Sequence, residues 1–298
     1  MSTQQAVQVV SLEGTRRSSS FLEAVWQFSK RKPMGAIGGG IILVMMLSAV
    51  FAGVISTHDP YRMNVSDLFA PPGAKYWLGT DNFGRDIFSR IVWGSRISLA
   101  VGVASVAVGA TGGALLGLIS GFLGGKFDVV SQRFVDILMA FPVLILALTV
   151  VAALGPSVEN VTMAVALVMV PPGARVVRSA ALAVREMQYV DAAHAVGARN
   201  FRILFVHILP NCLAPYIIVA TVNLGWAIVV EASLSFLGLG TPPPQPSWGA
   251  MLSSEGRSYL EKAPWIGIFP GVAISLSVFG FNILGDALRD VWDPRLRR

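Results

Sequence analysis

Six apolar stretches, each about 20 residues long, the length a helix needs to cross a bilayer, dominate this chain. They fall at roughly 34–56, 97–122, 134–154, 160–180, 212–232 and 264–286. In lipid every backbone N–H and C=O must be bonded within the protein, so each block is predicted to be a helix. Together they predict an all-α polytopic membrane protein of about six transmembrane helices. Composition excludes a soluble globular domain: 54% of the residues are hydrophobic, 13% are charged, and the mean hydropathy is +0.64.

A formal charge of +6 raises the question of nucleic acid, and the placement of the charges answers it. With six crossings, the N-terminus, the 123–133 and 181–211 loops and the C-terminus share one side. With Arg175 and Arg178 at the foot of the fourth span assigned to it, that side holds 16 of the 23 Lys and Arg residues; Arg62, Lys75, Arg85, Arg90, Arg96, Arg257 and Lys262 fall on the other. Cytoplasmic loops are the ones enriched in Lys and Arg, so both termini are expected in the cytoplasm. Basic charge here encodes orientation rather than affinity for DNA or RNA. The single cysteine, Cys212, excludes an internal disulfide. The first block follows a polar N-terminal stretch and outruns a usual signal-peptide core, so it is expected to be a retained anchor.

Enzyme signatures are missing. SGFLGGKFD approaches a phosphate-binding loop but has Ser120 in place of its first glycine and Phe127 in place of its hydroxyl residue. His58, His194 and His207 lack metal-ligand spacing, and neither HExxH nor GxSxG occurs.

The expected organisation runs as follows. Residues 1–33 form a cytoplasmic N-terminal segment, in which 21–33 reads as an interfacial amphipathic helix or, equally, as the snorkelling start of the first span. The first span is 34–56 and an extracytoplasmic loop is 57–96. A transmembrane core, 97–286, carries a cytoplasmic loop at 185–211 and an extracytoplasmic loop at 233–263, and a cytoplasmic tail occupies 287–298. Glycines at 109, 113 and 117 make small-xxx-small pairs, which allow close helix contact where lipid gives no hydrophobic drive. Pro142, Pro171 and Pro172 are expected to kink their spans. Asp136 would cost about 2.5–3.5 kcal/mol at mid-bilayer, and an i,i+3 pair with Arg133 is favoured over a proton relay. Glu231 either lines an external cavity or sits among headgroups, and Asn282 is placed to hydrogen-bond across helices.

The 189–211 stretch, YVDAAHAVGARNFRILFVHILPN, stands out between two apolar blocks. It reads as two short helices with a break. Ala192 and Ala193 permit close approach of another surface, and Gly197 supplies the left-handed turn ending the first helix. Asn200 is expected to cap the second helix and Pro210 to stop it. A rigid elbow with small residues on the basic side of a membrane protein is a docking surface.

Four segments resemble one family. DAAHAVGARNFRILFVHILP resembles the EAA loop of bacterial ABC importer permeases, with Asp191, Ala192, Ala193 and Gly197 matching its core and Ile208, Leu209 and Pro210 its ending. Asp191 stands where the family has glutamate, and His194 occupies a variable position. LGTDNFGRDIFSR, EASLSFLGLGTPPPQPSWG and FNILGDALRDVWDPRLR resemble the dipeptide/oligopeptide (DppC/OppC-type) branch. The resemblance spans about residue 30 to 298.

It implies the type I ABC importer permease fold in a bacterial cytoplasmic (inner) membrane. It also implies a homologous second permease (DppB/OppB-type), one or two cytoplasmic ATPases and an extracytoplasmic substrate-binding protein. No cofactor would be bound by this chain; ATP and Mg would be used by the ATPases. Coupling to an ATPase would run through Tyr189, Asp191, Ala192, Ala193, Gly197, Ala198, Phe201, Ile208, Leu209 and Pro210. Asp136, Pro142, Glu231 and Asn282 are the candidates for the translocation path of a di- or oligopeptide or a related solute. The competing readings are an ion-coupled secondary transporter acting without an ATPase, which calls for charges inside the membrane, and a structural scaffold, which needs no elbow.

Overall fold

The computed structural model of the chain describes residue 26, residues 28–253 and residues 259–292. Segment 1–20, residues 21–25 and 27 of the 21–33 stretch, Arg257 and the end of the C-terminal motif lie outside the described residues. Among the described residues five helices are long and apolar enough to cross a membrane, and a helix pair bent by 92° makes a sixth crossing if counted as one span.

Helix α1, Pro33–Val50, opens on a proline where no N–H is needed. Helix α2, Ile87–Leu123, is capped by Asp86, whose carboxylate accepts from the Ser89 N–H at 2.9 Å and the Ser89 hydroxyl at 2.6 Å. That cap corrects the expected start at 97: residues 87–96 belong to the helix, not to the 57–96 loop. After Gly124, at φ +64°, comes α3, Gly125–Ala140, and beyond Phe141 and Pro142 comes α4, Val143–Leu154. The 134–154 block is therefore not one straight span; Pro142 sits at the 92° bend.

Helix α5, Val158–Arg185, continues through Pro171 and Pro172. Gly109, Gly113 and Gly117 of α2 face Ala166, Val170 and Ala174 of α5, so closely that a Cβ on any of the three would lie within 3.0 Å of the facing backbone. Gly173 of α5 returns the contact, with its Cβ position 2.5 Å from the Ala110 carbonyl. The small-residue pairs thus do what their spacing predicts. Their order also shows that α2 and α5 run parallel, so the chain must cross back between them. The bent α3–α4 pair provides that return.

Helix α6, Gln188–Ala195, is followed by a short Asn200–Arg202 turn, a π-helical segment Ile203–Ile208, and α7, Leu209–Phe236. Two expectations are corrected here. Asn200 is the first helical residue and does not cap; the cap position is Arg199, without a side-chain bond. Pro210 does not stop the helix, because the widened π turn delivers it to the first turn of α7, where its missing N–H is harmless. The fifth crossing is accordingly far longer than the 212–232 block. A short helix α8, Trp248–Met251, interrupts the next loop, and α9, Trp265–Trp292, runs past the expected boundary at 286.

The two ends of the bundle are distinct. At one end Lys32 pairs with Asp290 at 2.6 Å, joining the start of α1 to the end of α9. The C-terminal ends of α2 and α5 lie at this end too, tied by Arg185 Nη1 donating to the Gly121 carbonyl at 3.0 Å. At the other end the 57–86 loop meets the α7–α9 connection, where Trp265 Nε1 donates to the Thr80 carbonyl at 3.1 Å.

Candidate functional site: an inner knuckle and an outer strap

Helix α6 ends as its sequence dictates. The Ala198 N–H donates to the Ala193 carbonyl at 3.0 Å and the Gly197 N–H to the His194 carbonyl at 2.9 Å, with Gly197 at φ +82°. These two bonds form a Schellman closure, which needs a residue tolerant of the left-handed region. Asp191 lies in the first turn of α6, where a negative charge complements the helix dipole. Asn211 Nδ2 donates to the Tyr189 hydroxyl at 3.2 Å and to the His207 carbonyl at 2.7 Å, closing α6 onto the base of α7.

One face of this knuckle is anchored. Val190, Ala193, Ile203, Ile208 and Cys212 are buried against Ala114 and Leu118 of α2 and Val177, Ala181 and Val184 of α5, with Ala198 and Leu209 packed beside them. The opposite face is open. Val196 is 84% and Phe201 73% exposed, and Phe205 and Val206 are exposed beside them. The Phe201 and Phe205 rings lie 4.4 Å apart, centroid to centroid. Asp191, Ala192, Gly197 and Pro210 share the exposed side.

The ten knuckle residues are thus brought together, although they divide between two jobs: Ala193 and Ile208 hold the knuckle to the bundle while Ala192, Gly197 and Phe201 face outward. Sequence reading passed over Val190 and Ile203, which anchor it, and Phe205 and Val206, which extend the exposed patch. The i,i+3 spacing of Val190 and Ala193 was the available signal.

The four translocation candidates are scattered. Asp136 on α3 is half exposed and its closest partner is Arg175 of α5, at 2.7 Å; the expected Arg133 pair is longer, at 3.6 Å. Arg178 grips Asp128 with two bonds of 2.6 and 2.5 Å beside it, and these groups line a cavity of about 430 Å³. Pro142 is exposed at the bend. Asn282 is exposed on α9, its Oδ1 3.4 Å from where Gly225 would carry a Cβ. Glu231 is fully buried in α7, so it neither sits among headgroups nor lines the cavity at that end of the bundle.

At the other end lies the strap, residues 240–249 after α7, and the charged groups facing it are largely internal. Asp81 accepts from the N–H of Phe83 and of Arg85, at 2.9 and 3.0 Å, and pairs with the Arg85 guanidinium at 2.7 Å. Asp67 gathers Lys75 at 2.6 Å and the Tyr76 hydroxyl at 2.9 Å, which hold its carboxyl below the ordinary 3.8. A cavity of about 660 Å³ opens between this corner and the proline-rich segment after α7.

A polytopic helical bundle with parallel glycine-packed spans, an anchored knuckle at one end and a cavity at the other is the architecture of an integral membrane protein. Residues 113–298 match the binding-protein-dependent transport system inner membrane component family, and residues 20–72 match the N-terminal transmembrane domain of oligopeptide transport permease C. The chain belongs to this family, the permeases of ABC importers. It is 46% identical over 279 residues to a dipeptide transport system permease protein of Alkalihalophilus pseudofirmus, covering 94% of this chain and 91% of that one. It is 42% identical over 273 residues to a glutathione transport system permease protein of Pectobacterium atrosepticum, with 91% and 90% covered. A di/tripeptide transport system permease protein of Pseudomonas aeruginosa is 41% identical over 284 residues, with 93% of each chain covered.

Proposed function

We propose that this chain forms half of the translocation path of an ATP-driven importer for di- or oligopeptides or a related small solute. The other half would come from a homologous permease, the energy from cytoplasmic ATPases using ATP and Mg, and the solute from a binding protein on the far side. The membrane would be the bacterial inner membrane, with the knuckle end, bearing most of the basic residues, facing the cytoplasm. The names of the relatives favour peptides, and the glutathione permease among them keeps the solute class open to other small peptide-like molecules.

The single observation carrying this reading is the two-faced knuckle. Its inner face is fused to α2 and α5, so a push on it reaches the bundle; its outer face leaves Val196 and Phe201 in the open. Burying side chains of that size in a partner's groove is worth about 1.5–3 kcal/mol each, enough to make them docking anchors. ATP binding would then shift the bundle between two states by favouring one geometry of the docked ATPases. In reconstituted vesicles uptake should require the partner ATPase, ATP and the binding protein. Gly197→Val, which puts a branched side chain at a left-handed φ, should leave insertion intact and uncouple ATP hydrolysis from uptake. Uptake by this chain alone without nucleotide would refute the reading.

A further inference from the structure

The connection between α7 and α9 rests on one buried carboxyl. Glu231 stands near the outer end of α7, and it is fully buried together with Ser98 of α2, Ser235 of α7 and Ser247 of the strap. The Ser235 hydroxyl donates to Glu231 Oε1 at 2.8 Å. Ser98 and Ser247 stand beside the carboxyl without completing a bond to Oε2.

Ser235 in turn seats the strap at Gly240, where a Cβ would fall 1.9 Å from the Ser235 hydroxyl oxygen, so only glycine lets the backbone sit down there; at Gly249 a Cβ would meet the Ala232 carbonyl first, at 2.4 Å, and the Ser235 Cβ at 2.8 Å. The strap's far side is pinned to α2: the Trp248 N–H donates to Ser98 Oγ at 3.3 Å and the Trp248 indole to the Ile91 carbonyl at 3.0 Å. Between these anchors, residues 240–245 wall the cavity of about 660 Å³ opposite Asp81 and Arg85. A buried carboxyl is costly unless it organises the groups around it, and here every neighbour belongs to the strap or its supports.

We propose that Glu231 is a positioning residue for solute reception: it orients Ser235, Ser235 seats the strap, and the strap shapes the outer mouth. This rests on the reading of the strap end as the side that receives the solute. Thr241, a strap residue lining the cavity and only 7% exposed, supplies the reporter. In the complete transporter carrying Cys212→Ser, Thr241→Cys should resist an externally added membrane-impermeant maleimide. Adding Glu231→Leu should speed labelling about tenfold, the equivalent of losing one buried hydrogen bond, whereas Glu231→Gln keeps an acceptor for Ser235 and should stay shielded.

Uptake by the same proteins should show KM raised about fivefold in Glu231→Leu with kcat little changed, while a folding defect would lower assembled protein and kcat instead. Equal labelling of Glu231→Leu and the parent, an unchanged KM, or Glu231→Gln as open as Glu231→Leu overturns the proposal alone. Labelling of the Glu231→Leu protein only from the cytoplasmic side overturns both the proposal and the orientation beneath it.

Discussion

Gly84 at the strap end and Gly197 at the knuckle end both hold a left-handed backbone, at φ +72° and +82°, in opposite surroundings. A Cβ on Gly84 would overlap the Asn64 carbonyl, whereas a Cβ on Gly197 would meet nothing within 4 Å. The same contrast holds for the side chains. At the strap end Asp81, Arg85, Asp86 and Glu231 are buried, each with at least one bonding partner. At the knuckle end Val196 and Phe201 stand in the open above a sealed apolar base. One end buries its charged groups within the chain, with Val65 and Trp77 left exposed beside them, and the other presents an apolar patch over a sealed base. Under the proposed function, the open apolar face is where a separate ATPase would dock.

The comparison breaks first if the bundle between the two ends is not rigid enough to carry a push. Gly113→Leu drives a side chain into the Val170 backbone, while Gly112→Leu, one position along the same helix, meets open space. Gly113→Leu should abolish the monodisperse detergent-purified protein, with an overpacking cost of about 1–3 kcal/mol or more, and Gly112→Leu should purify as the parent does. Equal yields would mean that α2 and α5 do not press together.

At the knuckle, Phe201→Asp should leave membrane insertion unchanged but weaken ATPase co-purification about tenfold or more, from the loss of about 1.5–3 kcal/mol of burial. Ile208→Asp, on the anchored face, should instead destabilise the chain itself. A smaller effect is expected from the braces behind the knuckle. Arg178→Ala removes the two-bond grip on Asp128, partly exposed, and should cost about 1 kcal/mol, or about 2–4 °C in melting temperature.

Smallest is the pH response of the strap end. Because Lys75 and Tyr76 hold the folded Asp67 carboxyl below 3.8, its contribution is complete above that value and is lost as the pH falls through the folded pKa. Limited proteolysis should show the parent loosening at that loop on acidification, with Asp67→Asn already loosened at neutral pH and less responsive.

Much of this was legible beforehand for a physical reason. Six apolar blocks leave helices as the sole backbone solution in lipid, and glycines spaced by four announce a close helix contact. The turn at Gly197 could be read because its residue type and backbone angle are linked. What escaped reading was decided by neighbours distant in sequence. Pro210 looks like a helix stop until the π turn at Ile203–Ile208 is seen to carry the chain past it. The Arg175 partner of Asp136 lies on another helix, beyond the reach of i,i+3 arithmetic. Glu231 could be noticed from sequence, but not the three serines that converge on it.

Val196 offers the most direct test of a knuckle built for another protein. Placed as Val196→Cys in a Cys212→Ser background, it is 84% exposed in the isolated chain. It should react readily with a thiol reagent applied to inside-out vesicles when the permease is made without its ATPase, and become shielded when the ATPase is present. Reaction from the outer face, or equal reaction with and without the ATPase, would contradict the account.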